Sequence, residues 1–123
     1  ALTARHPESP EYASTLGAAL NNLATIDIHA GRLEEARDRL KRAISAQKRA
    51  RAAGPADTKY REYLANHLAN LISIASEIGR RDEAVEAMAE LKEIAAADAS
   101  VAVAMAVTSS ALTGVMTSEP PGK

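Results

Sequence analysis

Cysteine, phenylalanine and tryptophan are all missing from the 123-residue chain, and its aromatic content of 2% is tyrosine alone. Without cysteine there is no disulfide, no thiol nucleophile and no sulfur-ligated metal site. With so few rings, alanine and leucine have to fill the interior. Both favour helix, and the scarcity of β-branched and aromatic runs argues against a sheet, so the expected class is all-α. The length suits one folding unit with a modest core.

A strong charge of either sign is lacking too. The net charge of −1, from 15 basic and 16 acidic residues, supplies no field to draw in nucleic acid or a membrane surface. The total conceals an asymmetry, because residues 1–53 carry +3 and residues 54–123 carry −4. No basic-then-apolar leader opens the chain and residue 1 is Ala, so the sequence reads as a segment of a longer protein with a cytoplasmic setting. The stretch from Ala99 to Met116 has about the length of a membrane span, but Ala, Ser and Thr dominate it, which argues against a membrane helix.

What the chain does contain is an internal repeat with a shift of 48 residues. Pro7 meets Pro55, Ser9 meets Asp57, and Tyr12, Leu16 and Leu20 meet Tyr60, Leu64 and Leu68. Asn22-Leu23 meets Asn70-Leu71, Ile26 meets Ile74, Gly31 meets Gly79, Glu35-Ala36 meets Glu83-Ala84, and Leu40 meets Met88. Each unit divides into two helices. Ser9 and Asp57 are suited to cap a helix start, and Pro10 suits a first turn that needs no N–H. From there Tyr12, Leu16, Leu20, Leu23 and Ile26, and again Tyr60, Leu64, Leu68, Leu71, Ile74 and Ile78, recur at spacings of three and four, predicting one apolar stripe per helix. Gly31 and Gly79 can take the left-handed conformation that ends a helix. The second helices then present Leu33, Ala36, Leu40, Ala43 and Ile44, and Ala84, Met88, Leu91 and Ile94.

The organisation that follows has residues 1–8 as the end of a preceding repeat or a linker, a hairpin over 9–53 and a second over 54–97. Residues 98–117 are expected to form a capping helix with Val101, Met105, Leu112 and Met116 roughly on one side, and 118–123 a disordered tail.

The wording "LNNLATIDIHAGRLEEARDRLKRAI" resembles a tetratricopeptide repeat (TPR), with Leu20, Leu23, Ala24, Gly31, Leu33, Glu35, Ala36, Leu40 and Ala43 on signature positions. The second unit resembles it through Leu68, Leu71, Gly79, Glu83, Ala84 and Met88. The long period is similar to the extended repeats of kinesin light chains and of bacterial arrays beside serine/threonine kinase domains, over about residues 7–97. The chain departs from the pattern at Asp27 and Ala75, where the family usually has an aromatic ring, at Ile72, aligned with the small Ala24, and at Arg81, aligned with Leu33. The resemblance implies a TPR-like α-solenoid of two antiparallel helical hairpins plus the capping helix. It also implies a protein-interaction scaffold that takes a peptide or partner helix in a concave groove. By position that groove carries Asn21, Asn22, Thr25 and His29, then Asn66, Asn70, Ser73 and Glu77. An asparagine amide both donates and accepts, so it can pair with both backbone groups of an extended ligand. The competing expectation is that these asparagines bond the neighbouring repeat and hold no ligand.

A second surface is basic, with Arg37, Arg39, Lys41, Arg42, Lys48, Arg49 and Arg51 on one helix. Such a face is usually a solvated one, and its alternative use is docking of acidic partners. No aromatic side chain interleaves it to stack on bases, which argues against nucleic acid. His6, His29 and His67 form no metal-ligand or nucleophile motif, and no phosphate-binding glycine loop occurs, so neither catalysis nor a cofactor is expected. A third possibility is self-association through an apolar face left without a neighbour.

Overall fold

The structure, a computed structural model, describes residues 9–96. The expectations for residues 1–8, for the capping helix and for the tail lie outside them. Four helices follow one another: α1 (Pro10–His29), α2 (Leu33–Ala53), α3 (Thr58–Glu77) and α4 (Arg81–Ala95). There is no strand among the described residues, and the chain is all-α there.

The helix ends follow from local chemistry. Ser9 Oγ accepts from Tyr12 N at 3.0 Å, and Asp57 Oδ1 accepts from Lys59 N at 3.1 Å, so α1 and α3 start on side-chain caps. The starts of α2 and α4 have no such cap. They instead carry Glu34 and Glu35, and Asp82 and Glu83, in the first turn, where carboxylates complement the helix dipole. Between the helices of each hairpin the same turn occurs twice. Arg32 N donates to Asp27 O and Gly31 N to Ile28 O, and 48 residues on Arg80 N donates to Ala75 O and Gly79 N to Ser76 O. This is the Schellman pattern, whose glycine must be left-handed: φ is +80° at Gly31 and +84° at Gly79.

The chain reverses at each of these turns, so α1 with α2 and α3 with α4 form antiparallel hairpins. α2 packs on α3 as well as on α1, whereas α1 meets α3 only narrowly. The main core joins α2, α3 and α4 through Leu40, Ile44, Leu64, Leu68, Ile72, Met88, Leu91 and Ile94, with Ala24 from α1. The first hairpin closes through small residues. A Cβ on Gly17 would lie 2.9 Å from Gln47 Oε1 and 3.2 Å from the Ala43 carbonyl oxygen, so α1 approaches α2 at the limit that a glycine allows.

The single apolar stripe expected on α1 is split. Leu20 turns inward with Ala13, Gly17, Ala24 and Asp27, while Tyr12, Leu23 and Ile26 remain exposed and Leu16 is half-buried. In α3 the corresponding Tyr60, Leu64, Leu68, Leu71 and Ile74 are all buried. The difference is one of neighbours: α2 packs on α3, and no described helix covers the matching side of α1.

Candidate functional site

Helical periodicity of about 100° per residue gives α1 three faces. One faces the core. A second carries Asn22, Thr25 and His29, all exposed, and the register-equivalent face of α3 carries Asn66, Ser73 and Glu77, also exposed. Asn21 and Asn70, both half-buried, join the two: Asn70 Nδ2 donates to Asn21 Oδ1 at 2.9 Å. Thr25 Oγ1 donates to the Asn21 carbonyl oxygen at 3.2 Å. The expected groove residues thus fall into two sets. Asn21 and Asn70 bond each other across α1 and α3, and the other six present side chains to solvent beside that bridge.

Toward the helix starts the same side opens into a recess of about 190 Å³ lined by Glu11, Ser14 and Thr15 of α1 and by Lys59, Tyr60 and Tyr63 of α3. Tyr63 is 45% exposed and the Lys59 ammonium stands 5.5 Å from the Tyr60 ring centroid. Sequence reasoning did not pick out Tyr63. The signal was available: it lies seven residues before Asn70 and three before Asn66, hence on the same face.

The basic helix α2 faces acids that its own sequence does not show. Arg37 Nε donates to Glu83 Oε1 at 2.6 Å and its second arm bonds Glu83 Oε2, so the guanidinium grips the carboxylate with two bonds. Lys41 Nζ is 3.3 Å from Glu83 and Lys48 Nζ 2.7 Å from Glu90. Glu34 of α2 receives Arg80 at 3.1 Å. Hydrogen bonding to Arg37 holds the Glu83 carboxyl down to about 2, and the same bond raises the guanidinium pKa. Arg39 Nε lies 2.9 Å from Asp27 Oδ2, Arg32 reaches Asp27 Oδ1, and Arg49 reaches Ser45 Oγ at 3.4 Å. Arg42 is exposed and Arg51 half-buried. The opposite charges of the two halves of the chain are therefore expressed in part as pairs between α2 and α4. Beneath them a cleft of about 240 Å³ has Ile44, Leu68, Leu71 and Ala87 among its walls.

A polar cluster is buried where α1 and α2 meet α3. Gln47 Nε2 donates to Ser14 Oγ at 3.0 Å, and Gln47 Oε1 and both ring nitrogens of His67 find no partner among the described residues. Burial lowers the His67 imidazole to about 4, so it is neutral at pH 7. His29 ends α1 and is exposed. No group of three His, Asp or Glu side chains that could hold a metal ion occurs among the described residues. No described helix is long and apolar enough to cross a membrane. Comparison with family models, with curated proteins and with solved structures finds no match to this chain.

Proposed function

We propose that this chain is a protein-interaction module of TPR-like α-solenoid type, holding an extended segment of a partner along the shared face of α1 and α3. One observation carries the reading: six polar side chains of two register-equivalent helices stand exposed on either side of the Asn21–Asn70 bridge. The bridge fixes the spacing of the two helices. Asn22 and Asn66 then offer amides that match a peptide backbone, and the recess beside Tyr63 takes one apolar or cationic side chain, since its walls combine tyrosine rings with Glu11. The role is binding; the reading includes no catalytic step, cofactor or metal.

The test is selection from a random peptide library on the full chain, followed by calorimetric titration of the best peptides. Tyr63→Ala and Asn66→Ala are expected to weaken binding by about 5- to 30-fold, the range for an interface anchor worth roughly 1–2 kcal/mol. Arg42→Ala, on the other exposed side, leaves affinity within about twofold. Peptides that bind all three variants equally well place the binding surface elsewhere.

A further inference from the structure

The third face of α1 is apolar, and it does not belong to the proposed groove. Tyr12, Leu16, Ala19, Leu23 and Ile26 follow one another at steps of four, three, four and three, the spacing of a helix-packing seam. Among the described residues the large apolar side chains left exposed are Tyr12 (54%), Leu23 (41%), Ile26 (57%), Tyr63 and Val85, and three of these stand on this one line. The same register in α3 reads Tyr60, Leu64, His67, Leu71 and Ile74, and all five are buried where α2 packs. In this fold, then, that line of residues is a surface that takes another helix.

We propose that the α1 seam pairs with the α1 seam of a second copy of the chain, antiparallel, about a two-fold axis at Ala19. The seam is nearly palindromic. Reversed about Ala19, Tyr12 falls opposite Ile26 and Leu16 opposite Leu23, so each copy offers the other a matching set, as an isologous contact requires. Alanine on the axis lets the helices approach to about 8 Å. Glu11 and Asp27 are the only charged residues of α1 apart from His29, and Asp27 is buried against Arg32 and Arg39, so no like charges meet across the seam. At its ends Glu11 of one copy comes beside His29 of the other, and the two helix dipoles oppose. A contact of one helix on another is smaller than the ~800 Å² per partner of a standard interface, which puts dissociation at about 10–1,000 µM.

Sedimentation equilibrium of the full chain tests this. The mass should move from 12.9 kDa at low micromolar concentration toward twice that value at several hundred micromolar. Leu23→Glu should weaken association at least tenfold without lowering the melting temperature of the dilute protein. Because the chain has no cysteine, Ala19→Cys gives a single thiol on the axis. On mild oxidation it should form a covalent dimer at least tenfold faster than the exposed control Ala52→Cys. A mass of one chain at every concentration overturns the proposal, as does equal cross-linking of the two thiols. A several-degree loss of melting temperature in dilute Leu23→Glu also overturns it, since the seam is then covered within the chain, with residues 97–123 as the cover.

Discussion

His67 is the residue at which packing and protonation meet. The residue is 4% exposed, next to Gly17 and Gln47, and desolvation holds its folded pKa at about 4 against an unfolded value of about 6.5. The unfolded chain therefore binds a proton in a window where the folded chain does not. Stability is complete above pH ~6.5 and falls as pH drops to ~4, by at most about 3 kcal/mol. Glu83 has the opposite displacement: its folded pKa, about 2, lies below the unfolded value, so its contribution is present above pH ~4.5 and disappears only below that. The two windows separate. Urea titrations of the wild type and His67→Leu between pH 7 and 4 should show a falling midpoint for the wild type and a much flatter one for the variant. Parallel slopes would mean that the imidazole takes up its proton over the same pH range in the folded chain as in the unfolded one.

At the level of elements, the turns carry the clearest link from residue to conformation. Gly31 and Gly79 have positive φ, and a Cβ on either would meet nothing within 4 Å, so substitution there tests backbone conformation without a packing change. Gly31→Ala and Gly79→Ala should each cost about 1–2 kcal/mol, the penalty of an L-residue in the left-handed region, with no change in helix content by circular dichroism. A loss below about 0.3 kcal/mol would show that the turn relaxes to a right-handed form. These turns, the Ser9 and Asp57 caps and the inward positions Ala36, Leu40, Ala43, Ile44, Ala84, Met88, Leu91 and Ile94 were legible in the sequence because each depends on chemistry within one helix or its end. The fate of Tyr12, Leu23 and Ile26 was not, because periodicity says which residues share a face and leaves open what stands opposite. For the same reason Arg37, Lys41 and Lys48 read as a basic surface until α4 brings Glu83 and Glu90 to them. In the candidate site the exposed Asn22, Asn66 and Ser73 were legible from register. The Asn21–Asn70 bridge and the Tyr63 recess were not, since both depend on the distance between α1 and α3.

Across the whole molecule the burden of the core is uneven. α3 lies between α2 and α4 and buries Tyr60, Leu64, Leu68, Leu71, Ile72 and Ile74. α1 buries chiefly Ala13, Ser14, Gly17, Leu20, Ala24 and Asp27, mostly side chains with little apolar area to remove from water. Its close fit to α2 is a matter of small residues, and small residues lose little when a helix lifts away. α1 should therefore open by local fluctuation at lower free energy than α3. Hydrogen exchange at low micromolar concentration is expected to leave the α3 amides protected to near the global limit and the central α1 amides exchanging at least tenfold faster. Raising the concentration should then slow α1 selectively, because a second copy on its apolar seam stabilises the docked helix by mass action and gives nothing comparable to α4. Equal protection of α1 and α3 in dilute solution would mean that the four helices open together, and that the glycine-lined contact holds α1 as firmly as the leucine and isoleucine core holds α3.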